Sequence, residues 1–550
     1  TTVPPLLLLL WSGIRALGLH TTGNDIIKRV DMKTRKTLFA SFAFLFLGLV
    51  PISAMGQSLP HTFTANTAAK ASEVNENFTY LLERFGTRKT TVNCSSGESI
   101  TTALQNYNHI VISGVCTENV SLDGETLPHR VVILEGSSSA SDGITASSSA
   151  SPVIDINYHV FVRVKNLTLK GGEKGLKVRR NGIALISNSI VENNSGHGIC
   201  ACGTSFMLSE SNIIRNNSSS GIKAADNAEV NIKSNTISGH SGGSSIQITK
   251  GAYAIINSNT ITGSSGNTAV EISRGSSATI ESNTIQSAEN GISVHDGGIA
   301  YLSDITVSAT SNAVLVTRNG TAKIYNNSLL QNSPGGLTVY YGSHAQVDNS
   351  TIKGNQLGVY MKQASLDVYG STISNNTEDG FLLHHNSSAE IDNSNILSNA
   401  RDGLTLRNGS QALVKNSVID GSQSNGVYIN ANSVMQTDNL TVKNSTNSNI
   451  SLSDNSVLRF FSSTVESDSE TNLAIIGGSR VIAKDSNMNF SGSSAVTLYD
   501  RATLEVRSTG NSFTGTIACT NPANMGVSIV RNQTGSSWDN SSSPTTCFVH

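Results

Sequence analysis

Ser-Asn-Thr-Ile occurs three times between Glu229 and Ile285, at Ser234–Ile237, Ser258–Ile261 and Ser282–Ile285, with a period of 24 residues. An isoleucine precedes each copy at the same interval (Ile232, Ile256, Ile280), so a whole structural unit repeats. A fixed period in the twenties signals a solenoid, in which each unit buries its apolar face only against its neighbours. Aligned on the hydrophobic residue closing that element, the anchors are Leu169, Ile190, Ile213, Ile237, Ile261, Ile285, Val307, Leu329, Ile352, Ile373, Ile396, Ile419, Val442, Val465, Met488 and Phe513, spaced by 21 to 25 residues.

Within one unit, Ile292 and Val294, then Ala300 and Leu302, then Ile305 and Val307 alternate with polar neighbours. Such alternation marks three short strands, and the Gly, Asn and Asp residues between them supply the turns. Three strands per turn, stacked in parallel, make an all-β parallel β-helix. About 16 to 18 coils at ~4.8 Å each give a rod of roughly 80 Å.

Four other segments flank the repeats. Residues 1–31 match no pattern that follows and read as lying outside the working product. Residues 32–56 combine a basic start (Lys33, Arg35, Lys36), an apolar run from Leu38 to Val50 and small residues before Gln57, the layout of a secretory signal peptide. Segment 57–91 carries a heptad seam, Ala71, Val74, Phe78, Leu81 and Phe85, read as a short helical cap and alternatively as an oligomerisation helix. The β-helix spans 92–515, and 516–550 forms a C-terminal cap. Secretion follows as the expected localisation, with no integral membrane segment after signal cleavage.

A net charge of −2 and only 14% charged residues leave no basic stripe for nucleic acid. Export is compatible with disulfides. Cys94 and Cys116 lie one repeat apart, so a stacked solenoid brings them within bonding reach. Cys519 and Cys547 are expected to close the other end. Cys200 and Cys202 lie on one face of a strand, either as solvent-side thiols or as a local bridge.

The units Gly291-Ile-Ser-Val, Gly403-Leu-Thr-Leu and Gly426-Val-Tyr-Ile resemble the repeats of the pectin-lyase-like, right-handed parallel β-helix superfamily over roughly residues 92–515. Handedness is implied by that resemblance. The Asn before each anchor (Asn188, Asn212, Asn235, Asn259, Asn283, Asn395) resembles the family's stacked asparagine turn. The resemblance also implies enzymes acting on acidic or complex polysaccharides, with catalytic groups projecting from one sheet. Gly196-His197-Gly198 looks like one such motif, but its companion elements are missing, so His197 reads as a solvated turn histidine.

Two constellations could carry function. Asp379 and Asp402 precede strand-opening glycines on adjacent turns, a spacing that suits a retaining glycosidase pair or a calcium site, although Asp-Gly is also ordinary turn chemistry. No other cofactor is expected. The outward slots of the Gly-Ile-x-Val strand collect Tyr340, Tyr360, Lys362, His384, Arg407 and Tyr428 within five turns, with Tyr341 and His385 following. Tyrosine rings suit sugar faces, and cations suit carboxylates or sulfates. The expectation is a secreted rod binding polysaccharide or a cell-surface glycan without catalysis. The alternatives are a polysaccharide lyase or glycoside hydrolase, and a structural or adhesive spacer.

Overall fold

Each turn of this chain carries only a few apolar residues, so no turn can close a core by itself. The computed structural model shows how stacking solves this; it describes residues 88–264, 266–467, 471–490, 494–507, 512–514, 517–520, 529–532 and 548–549. Every strand pairing among the described residues is parallel and joins a strand to its equivalent on the next turn, as in Tyr253–Asn257 with Ser277–Glu281 and then Ile299–Ser303. The unit beginning at Lys89 is a parallel β-helix of about 18 turns.

Three ladders run along it. The first consists mainly of five-residue strands such as Glu229–Lys233. The second holds three-residue strands such as Thr236–Ser238, and the third begins each repeat's Ile-x-Ile element, as in Ile246–Ile248. The second and third ladders fuse where Thr284–Val294 and Thr306–Val316 run through the corner as eleven-residue strands. Strands Ile517–Thr520, Ile529–Asn532 and Phe548–Val549 extend the ladders towards the C-terminus.

The inward columns form the core. Ile232, Ile256 and Ile280 stack one above another with no exposure. Each such side chain removed from water contributes about 1.5–3 kcal/mol. Three of the expected anchors face the other way: Ile190, Ile213 and Leu329 point outward, and Val191, Ile214 and Leu330 fill the core instead. Two apolar residues adjoin at each of these places, so alternation cannot say which is inward, and a one-residue slip reverses every side chain.

Asparagine stacking is real but shorter than expected. Asn212, Asn235, Asn259 and Asn283 are buried, and each of the first three donates an Nδ2 hydrogen bond to the Oδ1 of the next, at 3.1, 3.0 and 3.0 Å. Asn188 and Asn395 are not members, because Ser189 and Ser394 hold the buried slot beside them. Asn188 instead adopts a left-handed backbone with φ of 50°. A second polar column, unnoticed in the sequence, contains Asn194 and Asn217, and farther along Asn355, Asn376 and Asn399.

The first turns are stapled as expected: Cys94 and Cys116 are bonded with their Cα atoms 4.7 Å apart. Between them the short helix Ile100–Ala103 is capped by Ser99, whose hydroxyl accepts from Thr102 N, and by the Glu118 carboxylate, which accepts from Ile100 N and Thr101 N. The bridge proposed between Cys519 and Cys547, the helical seam of 57–91 and the leader of 32–56 lie outside the described residues or side chains. No helix among the described residues is long and apolar enough to cross a membrane.

Candidate functional site

On the third ladder, residues two apart in a strand share the outward face, and parallel register aligns them along the rod. One outward column runs Thr338, Tyr360, Leu382, Thr405, Tyr428 through successive paired strands. The next contains Tyr340, Lys362 and His384, which are also register partners, and Arg407 follows at the end of the next strand of the ladder. The six residues selected from the sequence are therefore brought onto one face. Thr338 and Thr405 are buried beneath their neighbours, whereas Tyr340, Tyr360, Lys362, His384, Arg407 and Tyr428 are all half-exposed.

The exposed groups organise one another. Tyr340 and Tyr360 meet edge to face with ring centroids 5.3 Å apart, and Tyr340 lies 5.6 Å from Tyr341. Lys362 Nζ sits 5.7 Å from the centre of the Tyr341 ring, and the Arg407 guanidinium 5.5 Å from that of Tyr428. Burial pushes the Tyr340 hydroxyl up to about 12, so it is a neutral hydrogen-bonding group at any ordinary pH. Burial, then the neighbouring His385, lowers His384, whose Nε2 is 2.8 Å from Asn408 Nδ2. That ring is accordingly neutral near pH 7 and accepts from the amide.

Asp379 and Asp402 lie beside this strip and are almost completely covered, with exposures of 0% and 3%. Their turn is tight because a side chain at Gly380 would place its Cβ 2.6 Å from Gly403 O and 2.7 Å from Asn399 Nδ2. Asp379 Oδ1 accepts from Asp402 N at 3.2 Å and faces Arg401 Nε at 3.6 Å, while its Oδ2 is buried without a hydrogen-bond partner. Asp402 accepts from Asn425 N and Nδ2, each at 2.9 Å, and from Thr405 Oγ1 at 3.1 Å. Burial, and secondly the negative charge of Asp402, push the Asp379 carboxyl up to about 6.

A raised carboxyl means that the fold holds this proton more tightly than the unfolded chain does. Its contribution is most favourable at pH below the ordinary value of 3.8 and is lost as pH rises through about 6. Asp379→Asn, which keeps an acceptor for Asp402 N, should therefore leave stability at pH 4 unchanged and raise it at pH 8 by about 1–3 kcal/mol. Urea unfolding at the two pH values checks this; equal effects at both would contradict it.

A further polar cluster shares the same face several turns earlier. Glu271 and His295 occupy the slots that hold Tyr360 and Tyr340 later on. His295 Nε2 lies 3.3 Å from Glu271 Oε1, its Nδ1 lies 2.8 Å from Asp296 Oδ2, and Arg318 Nε donates to Asp296 Oδ1 at 2.6 Å. Ser244 and Gln247 also donate to Glu271. The hydrogen bond from His295 outweighs burial and holds Glu271 down to about 2, and the same bond raises His295. The sequence signal was present, since reading the slots of Tyr340 and Tyr360 back through earlier turns finds both residues.

His197 is less solvated than expected: it is half-buried, accepts from Ser220 N at 3.2 Å, and is driven down to about 4 by desolvation. Cys200 and Cys202 form the local bridge, with Cys200 only 2% exposed. Among the described residues no group of three or more His, Cys, Asp or Glu is arranged to hold a metal ion.

Comparison with known proteins bears on the winding. The model of the right handed beta helix region matches residues 92–261, 152–308, 244–392, 312–446 and 379–542. No curated protein sequence matches the chain. Among solved structures, a PL6 family alginate lyase aligns over 81% of this chain and 88% of its own, with 11% identity and a TM-score of 0.28. The catalytic unit of a thermostable α-1,3-glucanase from Streptomyces thermodiastaticus aligns over 83% and 70%, with 12% identity and a TM-score of 0.24. The A-module of a mannuronan C-5 epimerase from Azotobacter vinelandii aligns over 81% and 99%, with 12% identity and a TM-score of 0.18.

Proposed function

The chain belongs to the right-handed beta helix family, and from that premise we propose that it is a secreted, non-catalytic rod that binds a polysaccharide or cell-surface glycan along the strip from Tyr340 to Tyr428. The observation carrying this reading is the placement of three tyrosines, a lysine, an arginine and a neutral histidine in two adjoining columns on successive turns. Consecutive turns rise by about 4.8 Å, so five turns offer roughly 20 Å of contact, the length of a short oligosaccharide. Half-exposed tyrosine rings present apolar faces with polar tips, and Lys362 and Arg407 bring cations to the same surface. Because the groups already hold one another by ring and cation contacts, little side-chain freedom remains to be lost on binding.

The Tyr360→Ala, Arg407→Ala double variant is expected to lose at least about tenfold in affinity, corresponding to ~1.4 kcal/mol or more. Affinity electrophoresis against a panel of acidic and neutral polysaccharides, made on the mature chain from Gln57, measures it. Full retention in the gel by the double variant would remove the strip from consideration.

The enzymatic alternative has one specific observation in its favour. Asp379 is a buried carboxyl with a raised pKa beside a second carboxylate, the pattern that separates an acid from a base in carbohydrate cleavage. Its cover by neighbouring residues favours the binding reading over the catalytic one. New reducing or unsaturated ends formed from one polymer, and abolished in Asp379→Ala or Asp402→Ala, would reverse that preference.

A further inference from the structure

The bridge between Cys200 and Cys202 encloses one residue, Ala201. Cross-links stabilise folds largely by restricting the unfolded chain, and a loop this short restricts it very little. Cys94–Cys116, by contrast, ties together positions 22 residues apart. The local bridge therefore needs an explanation other than stapling.

Its surroundings supply one. Strand periodicity turns Ala201 into the core, where it is fully buried, and turns both cysteines outward. In the outward column Cys200 is the register partner of Lys177 on the turn before and of Lys223 on the turn after. The nearby acids form their ion pairs with other cations, Asp155 with Arg179, Glu173 with Lys174 and Asp226 with Lys250, while Asp155, the register partner of Lys177, and Asp226 still attract Lys177 and Lys223 respectively. Lys177 and Lys223 themselves form no ion pair among the described residues. Lysines thus occupy the outward slots on both sides of Cys200, and a neighbouring ammonium stabilises a thiolate.

The two sulfurs also differ in access. Cys200 is 2% exposed, whereas Cys202 is partly open and is followed by Gly203, around which a Cβ would find nothing within 4 Å. An incoming thiol can approach Cys202, and the leaving group is then Cys200, placed between the lysines. Exchange is fastest when the departing sulfur is the better-stabilised thiolate.

We propose that Cys200–Cys202, held between Lys177 and Lys223, is a thiol–disulfide exchange site that oxidises a protein dithiol. The first client thiolate attacks Cys202 Sγ, the Cys200–Cys202 bond breaks, and Cys200 departs as the thiolate. The second client thiolate then attacks the client sulfur of the mixed disulfide and releases Cys202. The client loses two electrons and gains a disulfide, the bridge gains them and becomes a dithiol, and the two client protons pass to Cys200 and Cys202. One client is oxidised per chain.

The test mixes the oxidised full chain with a reduced peptide carrying two cysteines and follows both by alkylation and mass spectrometry. The expected result is loss of the Cys200–Cys202 bridge in step with peptide oxidation, while Cys94–Cys116 stays intact. The Lys177→Gln, Lys223→Gln double variant should react roughly tenfold more slowly, and Lys177→Arg, Lys223→Arg should restore the rate. An unchanged urea unfolding midpoint in each variant reports that the fold is preserved. Reduction of both bridges at one rate, resistance of Cys200–Cys202 to the peptide, or a wild-type rate in the Gln variant would each overturn the proposal.

Discussion

Asn235→Ala is expected to destabilise the turns around it by about 3–5 kcal/mol, because one amide serves several buried partners at once. Its Oδ1 accepts from Asn212 N at 3.0 Å, Asn212 Nδ2 at 3.1 Å and Ser209 Oγ at 3.2 Å. Its Nδ2 donates to Ser209 O at 2.9 Å, Lys233 O at 3.0 Å and Asn259 Oδ1 at 3.0 Å. Alanine would leave donors and acceptors stranded where water cannot reach them, and each stranded group costs about 1–3 kcal/mol. The exposed Asn395, which the sequence pattern placed in the same class, supplies the contrast. Asn395→Ala should change stability by less than about 0.5 kcal/mol.

A solenoid opens locally, so the loss should appear first in the turns containing Ser209 to Asn259 rather than as a single shift of the whole unfolding curve. Hydrogen exchange read peptide by peptide, together with urea unfolding, separates the two variants. Equal protection in Asn235→Ala and Asn395→Ala would mean that the buried column does not hold the turns together.

The second large effect is expected at Phe381. Its ring has no exposure and is among the largest side chains wholly inside the rod. It is paired with Val359 on one neighbouring turn and Leu404 on the other, so truncation leaves a hole spanning the turns beneath the aromatic strip. Phe381→Ala should cost about 3–5 kcal/mol, and Phe381→Leu substantially less because most of the volume is retained. Tyr360, Leu382 and Thr405 project outward from the same strands, so glycan affinity should fall along with stability in Phe381→Ala. Urea unfolding paired with affinity electrophoresis measures both quantities. An alanine variant as stable as the native chain would show that the neighbouring turns collapse to fill the space.

Much of the fold was legible because a solenoid writes its geometry into the sequence repeatedly. The spacing of Ile232, Ile256 and Ile280 gave both the length of a turn and the identity of a core column. The spacing of Cys94 and Cys116 was enough to anticipate their bond. Ambiguity entered where two candidates adjoined. At Ile213 and Ile214 both residues are equally apolar, and at Ser394 and Asn395 both are turn-formers, so alternation alone could not decide which side chain turns inward.

The site was legible to the extent that register could be counted. Tyr340, Lys362 and His384 fall in one column because each stands in the same slot of its unit. Burial was not legible: Asp379 and Asp402 look like exposed turn acids in the sequence yet are covered by side chains from adjacent turns. Slot counting reaches Glu271 and His295, but their contacts with each other and with Asp296 and Arg318 arise only when stacking places the atoms within hydrogen-bond reach.

The sequence by itself determined the period, the three-strand turn and the residues that repeat in each slot, because these depend on local alternation and on turn-forming residues near in the chain. Tertiary structure alone decided which member of each adjoining pair faces the core, which polar groups are sealed from water and which side chains touch across turns. Those outcomes depend on neighbours some 21 to 27 residues away in sequence and a few ångströms away in space, a relation that local residue preferences do not encode.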